Sequence, residues 1–429
     1  MQGKDRNRPL KTPLICLVAL VFLSFDAMAQ DERSCKTVYE EISILNEPVF
    51  DGGGPFNHVY GQQGMDSFAD ALLTEDGGIM AGGAFTKDSK DSGLRPLLVR
   101  YGPTGRMMWE KRDEEVTPSQ TIERMMAAEE GFTILGRLID DEKGEGVIIA
   151  KYDSNGKRES ERALFESGGV LTGRAVLKSS DEAGLMVAGQ FEAAGGGASF
   201  GVVYKLARGG KILWRRAYIL GLDTEIHNLQ ALADGTYMLS GAIADQDGKT
   251  AGWLLRLDNA GTIQWQRTYP RGAFAAIHSA APWPGGGYAL AGMVRPSGGG
   301  RLSAWVSRVD TDGEPLWQRF FAAPYDVRGL DVRVGEDNTA SLLTSLTPSD
   351  PQAQRGHMRL FTLSPRGEVL SDKAFGEGQG GMAHRLRSGA DNTFILAGQT
   401  QVSASEPGKA TAPEAFDAWL TGIPTPAPY

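Results

Sequence analysis

The chain has almost no cysteine: Cys16 and Cys35 are the two in 429 residues. With one thiol beyond the N-terminal leader, no internal bridge can form. A disulfide framework, a CxxC redox pair and a zinc knuckle are therefore excluded. Histidine is scarce too, with five copies, and HExxH or a similar zinc spacing is absent. Helical 3.6-residue periodicity is missing throughout. Beyond the first thirty residues no apolar run is long enough to span a bilayer. The formal net charge is −9. That balance argues against nucleic acid and anionic membrane surfaces as partners.

What is present begins with a leader. Lys4, Arg6, Arg8 and Lys11 precede an apolar stretch from Pro13 to Phe25, and Ala27-Met28-Ala29 supplies small residues at a signal-peptidase site. Residues 1–29 read as a signal peptide, with the mature chain starting at Gln30 and residing in the periplasm or outside the cell. Cleavage leaves forty basic against fifty-one acidic residues, near −11. Residues 30–55 form an acidic leader ending in Asp51-Gly52-Gly53-Gly54-Pro55, expected as a flexible tether or an arm laid on the folded domain. Its Cys35 is either a free thiol or one half of an intermolecular disulfide.

About 400 residues would ordinarily suggest several domains, but the remainder is one repeat. An apolar strand ending in a small residue recurs as GGIMAGG (77–83), GFTILG (131–136), GLMVAG (184–189), GTYMLSG (235–241), GGYALAG (286–292), NTASLLTS (338–345) and NTFILAG (392–398). The final residues Gly83, Gly136, Gly189, Gly241, Gly292, Ser345 and Gly398 are spaced by 53, 53, 52, 51, 53 and 53. A second signature follows in six units: a strand, a tight turn with Gly, and another strand often carrying Trp, as in WLLRLDNAGTIQWQR (253–267). Gly in such turns supplies the positive φ a hairpin needs.

Four short antiparallel strands per roughly fifty residues predict a blade. The expected fold is all-β, a seven-bladed β-propeller over residues 56–423. The last unit ends early, in a Pro-rich tail at 424–429. Its missing fourth strand is expected at residues 56–61, because Tyr60 precedes Ala69 by the same nine residues that separate Tyr218 from His227 and Tyr269 from His278. This N-terminal strand would complete blade seven, close the ring and leave no exposed sheet edge.

Asp76-Gly77-Gly78, Gly286-Gly287-Tyr288, Trp253-Leu254-Leu255-Arg256-Leu257-Asp258 and Trp265-Gln266-Arg267-Thr268-Tyr269 carry a resemblance to a repeat of secreted prokaryotic β-propellers. That family's consensus is a DGGY-type turn, an apolar strand ending in Gly, W-L-x-K-L-D, a turn Gly and W-x-K-x-Y. The resemblance implies fold and export, not an activity. The Trp spacing also resembles pyrroloquinoline-quinone propellers. Those typically have eight blades and a vicinal disulfide that this chain lacks, so that cofactor is not expected.

Fourteen residues before five of the marker positions lie Ala69, His227, His278, Asp331 and His384, with Glu123 and Arg174 one residue out of step in units two and three. Three of the five histidines thus share one blade position. Gathered at a channel mouth, His227, His278, Asp331 and His384 could ligate a divalent metal or serve as general acid and base, with Glu123 or Arg174 assisting. Alternatively, repeats share residues for packing and hydrogen bonding at the strand entry. The recurrent Trp residues read as inter-blade packing. Trp283, in Ala281-Pro282-Trp283-Pro284, breaks their pattern and is a candidate exposed partner contact.

Other motifs fail on context. Gly197-Ala198-Ser199-Phe200-Gly201 lacks the helix a nucleophile elbow requires, and Gly376–Gly381 has no helix to hold a phosphate. Asp245-Gln246-Asp247-Gly248 and Asp310-Thr311-Asp312-Gly313 read as hairpin turns rather than calcium loops. Two functions remain. One is an exported noncatalytic binding or scaffold propeller, engaging a protein or glycan through its loops and one channel mouth. The other is a secreted or envelope lyase or hydrolase using the His/Asp cluster.

Overall fold

The computed structural model describes residues 38–46, 56–62, 64–88, 90, 93–114, 119–181, 184–197, 199–347, 356–376, 382–389, 393–401 and 416–424. The signal peptide, Cys35, the Gly-rich run 51–54, most of Gly376–Gly381 and the tail beyond 424 lie outside these residues. The fold is all-β, and among the described residues every regular element is a strand. Among the described residues no helix is long and apolar enough to cross a membrane.

Each repeat folds into an antiparallel meander. In the fourth, Asp223–Ala231, Tyr237–Ala244, Thr250–Leu257 and Ile263–Pro270 pair in chain order. The turn chemistry explains the tight returns. Asp258 Oδ1 accepts the backbone N–H groups of Ala260 and Thr262 at 2.9 and 2.8 Å, and Gly261 takes a φ of 76°. Asp245 and Asp310 are used in the same way, which turns their carboxylates inward to the hairpin rather than toward an ion.

Burial is graded across each meander. Every residue of the second strand Ile79–Phe85 is buried, whereas the fourth strand Met107–Arg112 keeps most of its side chains in solvent. The marker glycines have a steric cause. A Cβ on Gly292 would overlap the carbonyl oxygen of Ala276, and one on Gly241 that of Glu225. The first strand presses its carbonyl against the second at this point, and only Gly allows it.

The hydrophobic core is distributed between sheets, because no single meander can bury both its faces. Each cluster draws on two successive repeats. Leu254 of the fourth packs with Leu290 and Trp305 of the fifth, and Leu360 of the sixth with Leu396 and Trp419 of the seventh. One cluster joins Phe68 and Val99 of the first repeat to Ile395 and Leu420 of the last. The expected pairing of the chain ends is also present. Asn57–Tyr60 runs antiparallel to Phe416–Pro424, with Val59 opposite Trp419, and Trp419 Nε1 donates to Asn57 Oδ1 at 2.6 Å.

Two features depart from independent four-stranded blades. The third to fifth repeats form one thirteen-stranded sheet, because single parallel pairs, Ser199 with Asp223 and Thr250 with Phe274, bridge one meander to the next. The thirteenth strand comes from the segment expected as a flexible tether or an arm laid on the folded domain. Tyr39–Ile44 lies parallel to Pro315–Ala322, held by Arg319 on Glu41 and Ser43 at 2.6 and 2.8 Å. It satisfies backbone groups that an outer edge strand would leave open.

Candidate functional site

The first strands of the repeats carry a shared irregularity. Their register slips between Phe68 and Asp70, Gly173 and Ala175, Ile226 and Asn228, Ile277 and Ser279, and Gly329 and Asp331. Ala69, Arg174, His227, His278 and Leu330 are therefore bulge residues, turned out of the ladder. In the second and seventh repeats the break is wider: the first strand splits around Thr121–Glu123 and around His384–Leu386.

This geometry corrects the place of Asp331. The marker glycine is the fifth residue of the second strand in repeats four and five, where Tyr237 and Tyr288 begin it. In the sixth repeat that strand begins at Ala340, so the fifth residue is Thr344 rather than Ser345. The residue in step with the histidines is then Leu330. Asp331 falls one position later, with Asp70, Asn228 and Ser279.

Asp331 is fully engaged. Its carboxylate accepts the Ser279 hydroxyl at 2.5 Å and the backbone N–H groups of Val332 and Leu386, each at 2.9 Å. Burial alone would raise its pKa. The charges of Arg333 and Arg385 and these hydrogen bonds outweigh it and hold the group below the usual carboxylate range. Asp70 repeats the design, accepting from the N–H of Ala71 at 2.9 Å and of Met125 at 2.8 Å, and pairing through both oxygens with Arg387. Both aspartates tie one first strand to the next.

The histidines divide into two groups. The rings of His227 and His278 meet edge-on with centroids 4.9 Å apart. His227 Nδ1 lies 3.0 Å from the Ile277 carbonyl and His278 Nδ1 lies 2.8 Å from that of Gly329, so each reaches the next repeat's first strand. The remaining nitrogen of His227 bonds Glu225 at 3.0 Å. His384 instead feels Arg124 and Arg385, and burial followed by those two charges lowers its pKa. Among the described residues no group of three or more His, Cys, Asp or Glu could hold one metal ion.

Burial, then the charge of His227, pushes His278 down to about 4, and burial with the Arg359 charge does the same to His357. Both are neutral in the fold at pH 7. An unfolded histidine, with a pKa near 6.5, binds a proton first as the pH falls, so the stability these groups confer is complete above about 6.5 and is lost between there and about 4. The urea midpoint is expected to fall steadily from pH 7 to pH 4.5. His278→Gln should flatten that slope, and a slope unchanged in the variant would refute the assignment.

Glu123 and Arg174 meet through Arg124. The Arg124 guanidinium donates to the carbonyl of Glu123 at 2.6 Å and to that of Arg174 at 3.1 Å. Burial raises the Glu123 carboxyl, partly offset by Arg124 and Arg174. Arg385 donates to Asn228 Oδ1 at 3.3 Å, linking the seventh repeat to the fourth across the space between the first strands. Sequence reasoning missed Asp70, Arg124, Asn228 and Arg385. Four of the predicted positions lead directly to them, since each follows Ala69, Glu123, His227 or His384 by one residue.

Trp283 is not an exposed contact. It is 3% exposed, donates from Nε1 to Asn338 Oδ1 at 3.0 Å and packs edge-on against Trp317. The Arg308 guanidinium covers its ring at 4.5 Å, and the residue belongs to the seam between the fifth and sixth repeats. Ser199 opens the strand Ser199–Ala207, and its hydroxyl accepts from Gln190 Nε2 at 2.9 Å.

No family model matches the chain, and no curated protein matches it. Several solved structures are similar. The β-propeller domain of the Trilobed protease from Pyrococcus furiosus aligns with a TM-score of 0.46 at 9% identity, covering 83% of this chain and 93% of that one. A puromycin hydrolase aligns at 0.46 and 13%, covering 82% and 53%. BBS1N, in complex with ARL6DN, aligns at 0.45 and 13%, covering 85% and 95%.

Proposed function

We propose that this chain is an exported, seven-bladed β-propeller that binds a protein or glycan ligand through its loops and central channel, without chemistry on it. Ring closure is supported by the pairing of Asn57–Tyr60 with Ala418–Thr421 and by the core cluster that joins the first repeat to the last. The resemblance of the repeats to a secreted propeller consensus favours the same fold and export. The observation that carries the binding reading is the use of the acid–base candidates. Asp331 is saturated by backbone N–H groups and a serine, and His227 and His278 each spend Nδ1 on a main-chain carbonyl. Asp331, so engaged, positions strands rather than transfers protons, and the carbonyls hold His227 and His278 to the next repeat.

A lyase or hydrolase is the second reading, favoured by the contiguous Glu225, His227 and His278, whose far end is a neutral imidazole. The two separate in one experiment. Mature protein starting at Gln30 is incubated with glycan and peptide panels, and both binding and turnover are followed. Saturable binding with no product formed agrees with the binding propeller. Turnover abolished by His278→Gln would replace it with the enzyme. N-terminal sequencing of protein recovered from outside the cytoplasm checks export.

A further inference from the structure

The first strands carry a group of arginines at the bulge position and beside it. Arg124, Arg174, Arg385 and Arg387 come together there, each acting electrostatically on at least one of the others. Of the carboxylates, Asp70 is consumed by Arg387 and the backbone, and Asp331 by Ser279, two N–H groups and Arg333. Burial raises the Glu123 carboxyl, partly offset by the charges of Arg124 and Arg174, and Glu225 also acts on Arg174. Among the described residues Arg124 and Arg385 make no hydrogen bond to a carboxylate, and Asp70 with Glu123, and Asp331 with Asp70, act on them only at longer range.

A guanidinium carries five N–H donors. Arg124 uses its own on main-chain carbonyls, and Arg385 makes one 3.3 Å contact to Asn228. The Nε of Arg174 is buried with no hydrogen-bond partner. Enclosing charged donors without partners is unfavourable, and a like charge nearby adds repulsion. Arg385 registers this, its pKa brought down to about 9 by burial and then by Arg124. Yet Arg124, Arg174 and Arg385 all keep part of their surface in contact with solvent. All three side chains are therefore partly accessible.

We propose that Arg124, Arg174 and Arg385 form an oxyanion-binding site in the channel, for the carboxylate or phosphate group of a ligand. The planar fork of arginine matches both groups, and an anion there would supply the missing acceptors and relieve the repulsion. The site extends the binding reading above, resting on it for the enclosed channel, and gives the ligand a charged group. His384, beside Arg124 and Arg385, would gain the same relief.

Isothermal titration calorimetry of the full mature chain with sodium phosphate and, separately, sodium malonate tests this. Saturable binding is expected, weakening with added sodium chloride and roughly tenfold or more weaker in Arg385→Gln and Arg124→Gln. The anion that binds more tightly identifies the group as phosphate or carboxylate. Arg385→Lys should retain part of the affinity, since it keeps the charge and loses the fork. If Arg385→Gln fails to fold, Arg124→Gln and Arg174→Gln give the same reading. No saturable heat with either anion, or affinity unchanged in the variants, overturns the site and leaves water as the occupant. Glycan or protein binding that persists when the anions fail would sink this site alone. Loss of all ligand binding alongside intact anion binding would sink the broader reading alone.

Discussion

Asp70→Ala should lower the unfolding free energy by about 3–5 kcal/mol, among the largest single-residue effects in the chain. The carboxylate is 1% exposed and serves three parts of the molecule at once. It accepts the N–H of Ala71 in its own strand, the N–H of Met125 in the second repeat, and a two-point pair from Arg387 in the last. Truncation leaves a guanidinium enclosed without its partner and an orphaned buried N–H, and each is costly. The Arg387 bond also crosses the junction between the first and last repeats, so the loss falls where the chain ends meet. Guanidinium titration of the wild type and Asp70→Ala measures the effect. A second comparison, Arg387→Leu alone and with Asp70→Leu, separates pairing from enclosure: the double variant should be less damaged than the sum of the singles. A loss under about 1 kcal/mol for Asp70→Ala would mean the pair is solvated and the junction loose.

Trp305→Ala is expected to cost a similar 3–5 kcal/mol, for a different reason. The indole is 1% exposed and lies between the fourth and fifth repeats, near Tyr269 at a ring separation of 5.9 Å and against the backbone of Gly252. Its removal opens a cavity between two closely packed meanders, which can collapse only in part. Nε1 donates to Gln318 Oε1 at 3.0 Å, and Gln318 is 1% exposed, so the variant also strands an acceptor. Trp305→Phe keeps most of the volume and loses only that bond, so about 1–3 kcal/mol is expected. Denaturant midpoints of both variants provide the check. Equal losses would show that the hydrogen bond, not the packing, dominates.

Features with a short period were legible in the sequence. The glycine markers reported a close approach of adjacent strands, and the Asp-x-x-Gly turns reported the hairpins between them. Asn57–Tyr60 could be placed because the nine-residue interval to the first strand is the same as inside the chain. The sixth repeat misled for a local reason. Thr344 stands where the others have Gly, and the neighbouring Ser345 took its place in the alignment, so Asp331 was set among the histidines instead of Leu330. Trp283 misled because a Pro-flanked tryptophan at a strand end looks exposed. Only its neighbours Arg308, Trp317 and Asn338 bury it, two of them in the same repeat but on other strands and one in the next.

The sequence by itself determined the strand content, the repeat, its meander and the pairing of the two chain ends. These follow from alternation, turn residues and spacing, which act over a few residues and recur. Tertiary structure decided what the inner positions do. Arg387 finds Asp70 across 317 positions of chain and Arg385 finds Asn228 across 157. Whether a buried charge is paired depends on which distant strands enclose it, and no local pattern encodes that. His227 and His278 took part in strand-to-strand bonding for the same reason, each reaching a carbonyl of the next repeat's first strand.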